Sequence, residues 1–289
     1  KEYRRQRQMC IRDRFIHELF QFSFLQRALV TSVVIGIICG VIGCFIVLRS
    51  LALMGDAISH AVLPGVAISY MMGINFFYGA VVFGIMAALG IGFVNQNSKI
   101  KSDSSIGIVF SAFLALGVLL VTKAQSSIDL TEILFGNVLT VKEQDRTLTF
   151  IVAAIVLIIV VIFYKEFLLS TFDPTMAAAS GLPTKFIHYT IMVLLTLVTV
   201  ASLQTVGVIL VVSLLITPAS TAYLLTKRLS TMILLSALIG AISSIIGLFF
   251  SFTFNLPSGV VIVLVITAIF IITFFLAPRN GLLWRMIKH

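Results

Sequence analysis

Two side chains inside a long apolar stretch have the types and the spacing to do chemistry. Tyrosines aside, Asp56 and His60 are the ionisable residues between Arg49 and Lys99. They are four apart, so a helix over 51–73 puts both on one face, one turn apart. A carboxylate oxygen with an imidazole nitrogen is a ligand set for a divalent first-row cation such as manganese, iron or zinc. The same pair could instead relay protons or close a local ion pair. Position favours the metal. His60 is the tenth residue of its run, and a charged side chain near mid-membrane costs about 2.5–3.5 kcal/mol on insertion scales, so it faces a cavity or a partner. Pro64 lies four residues on and removes the amide that would bond the His60 carbonyl, with Gly55 and Gly65 alongside. A helix broken beside ionisable residues is how transporters build ion sites. Thr217-Pro218 predicts a second break. There Pro218 frees the Leu214 carbonyl among Ser213, Thr217, Ser220 and Thr221.

The elements that must hold this pair follow from composition. Of 289 residues, 60% are hydrophobic and 11% charged, and the mean hydropathy is +1.14. A soluble domain carries about 25% charged residues. A water-soluble enzyme, a disordered chain, a collagen and a coiled coil are excluded. The chain reads as an all-α integral membrane protein with nine apolar runs: 28–48, 51–73, 76–95, 105–122, 147–164, 187–203, 205–225, 230–252 and 258–277. Barrel strands would be short and alternating. Cys39 and Cys44 share one run, and a spacing of five turns them off a common face, against a disulfide.

The net charge of +9 does not point to nucleic acid. Residues 1–14 carry six basic and two acidic side chains and no apolar run. They read as a non-native leader, a sequence artefact, and not as a signal peptide. Residues 15–27 are too short to span and are expected in the outer interface. The remaining basic residues sit at loop ends. Placing 165–186 in the cytoplasm puts Arg49, Lys99, Lys101, Lys165, Lys185, Lys227, Arg228, Arg279, Arg285 and Lys288 inside, against Arg27, Lys123, Lys142 and Arg146 outside. The mature N-terminus is then outside and the C-terminus inside.

Two connections are long. In the outer 123–146 segment, Ile128 to Phe135 could form a short amphipathic helix. In the inner 165–186 segment, Asp173 is a candidate N-cap, Pro174 a first helical residue and Gly181 a C-cap. A two-turn, alanine-rich helix presented to the cytosol is more than a linker requires, although an interfacial helix without a partner would look the same. The sequence holds no G-x-x-x-x-G-K-S/T, H-E-x-x-H or G-x-S-x-G motif. Energy for pumping must therefore come from another subunit or an ion gradient.

The run Arg49 to Ala67, with Gly55-Asp56-Ala57-Ile58-Ser59-His60 and Leu63-Pro64-Gly65, resembles the signature of the manganese/zinc/iron permeases of ABC transporters, the metal-chelate type. Ser170–Lys185 resembles that family's ATPase-coupling region, and Val211–Ala222 its late broken helix. The resemblance extends over about residues 16–285. It implies a single transmembrane permease domain over 28–285 with type II ABC importer architecture, related to vitamin B12 permeases. It implies a bacterial plasma-membrane location, a homodimer, two cytoplasmic ATPases and an extracellular or periplasmic metal-binding protein. Asp56 and His60 stand where pathway ligands are expected. Asp173, Pro174, Ala177, Ala178, Gly181, Leu182 and Pro183 stand in the coupling region, and Pro64, Thr217 and Pro218 at helix breaks near the pathway. The ion is cargo, manganese first, with zinc and iron as alternatives, and no resident cofactor is expected. A secondary carrier or channel using the same Asp–His site is the competing reading. An intramembrane metalloenzyme would need a third ligand and a base that the runs do not offer.

Overall fold

A computed structural model describes residues 23–123 and 143–277 of the chain. Among these it is entirely helical: α1 Ser23–Leu48, α2 Ala52–Ala61, α3 Leu63–Met72, α4 Phe76–Asn97, α5 Ser102–Lys123, α6 Glu143–Ile162, α7 Tyr164–Phe172, α8 Pro174–Ala179, α9 Thr184–Val206, α10 Val208–Leu225, α11 Leu229–Phe254 and α12 Ser258–Leu276. Taking α2 and α3 as one span, nine helical spans among the described residues are long and apolar enough to cross a membrane. Residues 1–14, most of the 15–27 segment, the 128–135 run expected to be helical and the chain beyond 277 lie outside the described residues. Ser23–Arg27 belong to the start of α1.

Helices overrun the apolar runs at their ends. α6 starts at Glu143, four residues before its apolar run, with Glu143 and Asp145 in its first turn. Acidic side chains there complement the partial positive charge of the helix start and still reach water.

Packing in lipid cannot rely on the hydrophobic effect between helices, so close approach must come from small residues and interhelical hydrogen bonds. α1 provides both. Gly36 lies against Gly240 of α11, Gly40 against Ser236, and Gly43 against the Leu215 carbonyl of α10. The Ser236 hydroxyl donates to the Gly40 carbonyl at 2.8 Å. Bonds of this kind contribute about 0.6 kcal/mol on average. α1 is thus the spine onto which α10 and α11 pack, and α12 closes over both. The α3–α4 hairpin repeats the device with Gly65 against Gly79. α9 crosses from this hairpin to α1 and α6. Cys39 and Cys44 are free thiols buried in α1.

The interruptions fall at Val62 and Gly207. The first separates α2 from α3 two residues before Pro64, as the missing Pro64 amide requires. The second differs from the expectation. α10 runs unbroken through Thr217 and Pro218, and the helix boundary lies at Gly207. Gly207 has φ 82° and ψ 164°, a conformation open essentially to glycine alone. Pro218 is absorbed because it is buried against its neighbours. The Thr221 hydroxyl donates to the Thr217 carbonyl at 2.7 Å, one turn back along the same helix.

Gly240→Leu should therefore lower the thermal midpoint of the detergent-solubilised protein, since a Cβ at 240 overlaps the Gly36 carbonyl. An overpacking cost of about 1–3 kcal/mol is expected. Gly107→Ala, where a Cβ meets open space, should leave the midpoint unchanged or raise it. Equal midpoints for Gly240→Leu and the parent would show that the α1–α11 crossing is looser than described.

Candidate metal site

α2 is a ten-residue helix with one buried side and one open side. Met54, Ala57, Ile58 and Ala61 are buried, and Gly55 packs on Leu215 of α10. Leu53, Asp56 and His60 form the opposite stripe. The Nε2 of His60 stands 3.7 Å from Oδ1 of Asp56, with side-chain exposures of 25% and 52%. That separation lets one cation, or one water, touch both groups. The Ser59 hydroxyl donates to the Gly55 carbonyl at 2.9 Å and so satisfies itself within the helix. Across the groove, Phe110 of α5 meets the His60 ring edge-on at 5.8 Å and fixes its plane. Further along α5, Gly117 passes against Leu63 and Pro64. α5 thus follows the interruption closely.

The pair is an incomplete shell. Among the described residues, no group of three or more His, Cys, Asp or Glu side chains comes together. Two side chains leave a tetrahedral ion two ligands short and an octahedral one further short. The His60 carbonyl, which Pro64 cannot bond, accepts a backbone N–H at the C-terminal cap of α2 instead. Thr217 and Pro218 are not part of this pair. α10 touches α2 through Leu215, two residues before Thr217.

The 165–186 segment folds as most of α7, α8, one turn at 180–181 and the start of α9. The Asp173 carboxylate accepts the Met176 amide at 2.9 Å and the Thr175 hydroxyl at 2.6 Å. Those bonds, the Met176 amide first, hold its carboxyl below the ordinary range. Pro174 opens α8. The Leu182 amide returns to the Ala177 carbonyl at 3.1 Å, and Gly181 takes φ 81°. Ala177 is buried, whereas Ala178, Gly181 and Pro183 are exposed and Leu182 is half-buried. Phe172, Met176 and Phe186 are exposed around them. α7 is anchored through Phe167, which packs edge-on against Phe45 of α1 at 5.7 Å.

Sequence reasoning missed the role of Arg49, the lone Lys or Arg between Arg27 and Lys99. Its guanidinium donates to Ser170 Oγ at 3.1 Å, to Thr171 Oγ1 at 3.1 Å and to His188 Nδ1 at 3.3 Å. Burial pushes its pKa down to about 10, which still leaves it charged at neutral pH. Its isolation in the sequence was a signal, but its partners lie 121–139 residues away.

The ABC 3 transport family matches residues 21–277. The manganese transport system membrane protein MntC of Listeria monocytogenes is 65% identical over 93% of this chain and 96% of its own. The manganese import system permease protein ScaB of Streptococcus gordonii is 53% identical over 95% and 99%. A solved structure of PsaBC from Streptococcus pneumoniae in complex with a Fab superposes with a TM-score of 0.86 at 50% identity, covering 96% of this chain and 99% of that one.

Mn2+ titrated into the purified full-length chain, with free ion read by its EPR signal, should bind weakly and reversibly. Asp56→Ala or His60→Ala should weaken binding at least tenfold, about 1.4 kcal/mol, without lowering the thermal midpoint. Undiminished binding in both variants would remove these residues from the site.

Proposed function

The chain belongs to the ABC 3 transport family, and we propose that it is the membrane permease of an ATP-driven manganese importer. It is a multi-pass protein of the bacterial plasma membrane and a transport subunit, not an enzyme. The observation that carries the manganese reading is the Asp56–His60 pair, 3.7 Å apart on the open side of an interrupted span. A mixed oxygen and nitrogen pair suits Mn2+ and the neighbouring divalent ions, and the names of the relatives at 65% and 53% identity select manganese among them. Zinc and iron remain competitors for the same ligands.

A site that must release its ion is better left incomplete, since a full rigid shell would hold it too long. We assign the missing ligands to water, to backbone carbonyl oxygen near Pro64, or to a second copy of the chain. Two-fold symmetry is the commonest oligomeric arrangement. Were the open faces of two α2 helices to meet at the axis, two carboxylates and two imidazoles would converge on one ion.

With no phosphate-binding motif in the chain, ATP hydrolysis falls to separate cytoplasmic subunits. The exposed apolar side chains Phe172, Met176 and Phe186 around α8, with Ala178 and Gly181 allowing close backbone approach, suit a groove on such a subunit. This puts 165–186 in the cytoplasm, the N-terminus outside and the C-terminus inside. A binding protein on the outer side delivers the metal. A secondary carrier or channel would leave this surface without a purpose.

Uptake of radioactive manganese, measured with zinc and iron as competitors in cells lacking other importers, tests the reading. The parent chain with its ATPase should accumulate manganese. Asp56→Ala or His60→Ala should cut accumulation at least tenfold. Replacing Ala178 and Gly181 with bulky residues should abolish Mn2+-dependent ATP hydrolysis while the metal site still binds. Uptake that persists without the ATPase would favour the carrier.

A further inference from the structure

Arg49 sits between the metal-bearing helix and both ends of the proposed coupling segment. α1 ends at Leu48, and Ser50 reverses the chain with a left-handed φ of 55°. The Leu51 amide closes the turn on the Ile46 carbonyl at 2.9 Å, and α2 begins at Ala52. Asp56 follows within two turns. The Arg49 side chain leaves this turn and bonds Ser170 and Thr171 at the C-terminal end of α7, and His188 in the second turn of α9. The segment 173–183, which includes α8, is the chain between those anchors. One guanidinium therefore grips both flanks of α8 and is covalently three residues from the start of α2.

The chemistry of the grip is specific. Arginine has five donors and no acceptor, so His188 Nδ1 must be the acceptor and its imidazole neutral, with the proton on Nε2. All three partners are neutral, and among the described residues no carboxylate fixes the charge. A half-buried cation held by hydroxyls and an imidazole is easier to re-partner than one locked to a carboxylate, yet it keeps its direction through the planar fork. A purely static tie would be better made by an ion pair or by apolar packing, as Phe167 and Phe45 already provide beside it.

We propose that Arg49 is a positioning residue that transmits displacement of the 173–183 segment to the helix bearing Asp56 and His60, a role that rests on the importer reading above. It touches no metal. It acts by tying the 173–183 flanks to the Arg49–Leu51 turn, so that α2 shifts its open face when α8 is moved.

The test uses the full permease–ATPase complex in lipid nanodiscs and proteoliposomes, with Mn2+ as the probe. Arg49→Ala should keep Mn2+ affinity within about twofold of the parent and keep basal ATP hydrolysis, while Mn2+-dependent hydrolysis and uptake fall at least tenfold. Arg49→Lys, with the charge but without the fork, should recover only part of the coupling. Full coupling in Arg49→Ala would overturn the proposal. So would a parallel loss of Mn2+ affinity, since Arg49 would then be shaping the site and not transmitting to it. Should Arg49→Ala fail to assemble, the Ser170→Ala/Thr171→Val double variant decides: coupling reduced at least threefold at unchanged Mn2+ affinity supports the proposal, and normal coupling overturns it. A parent complex without Mn2+-driven uptake would fail before any substitution is made, and would take the importer reading and this proposal with it.

Discussion

Hydrocarbon offers no partner to an ionised group, and each such group in a membrane span must find water, a counter-charge or a cation. In the span formed by α2 and α3, Asp56 and His60 are the groups subject to that constraint. Their helix meets it by turning its apolar residues Met54, Ile58 and Ala61 into the bundle and leaving the two ionisable groups on its open side. The rest of the architecture makes this tenable. The glycines of α1 bring α10 and α11 into backbone contact, which gives the bundle a firm wall tied by the Ser236–Gly40 hydrogen bond. Gly55 then lets α2 lie flat on Leu215 of that wall. Phe110 covers one edge of the imidazole. The interruption at Val62 and Pro64 falls within one turn of the pair.

Much of this was legible in the sequence because it depends on local rules. Nine apolar runs match nine spans among the described residues, since lipid demands about 20 apolar residues per pass. The spacing of Asp56 and His60 placed them on one face, since a helix repeats every 3.6 residues. The α8 cap was readable from Asp173-Pro174 and Gly181, because a carboxylate that accepts early amides and a residue tolerant of positive φ are local requirements.

What stayed hidden depends on neighbours distant in sequence. Thr217-Pro218 carried a strong local signal for a break, yet α10 continues through it, with Pro218 buried among its neighbours. The boundary between the 187–203 and 205–225 runs falls at Gly207, within a few residues of the hydropathy reading, but in sequence that glycine looks like Gly36 or Gly40. Only the backbone distinguishes a glycine chosen for close contact from one chosen for its φ. Arg49 is the same case in another form. Its isolation was visible, but Ser170, Thr171 and His188 reach it only through the fold.

As the proposed metal site, Asp56 and His60 would give two ligands per chain, a station and not a vault, and the completion of the shell would decide how the ion is handed on. The most direct measurement is pulsed EPR of Mn2+ bound to the intact complex, which detects nitrogen coordinated to the ion. With Asp56 and His60 as pathway ligands, the parent should show histidine nitrogen coupling that disappears in His60→Ala, with two equivalent nitrogens if two copies share one ion and one if water completes each shell. A spectrum with oxygen ligands alone, or nitrogen coupling that survives His60→Ala, would contradict the assignment of Asp56 and His60 as the manganese site.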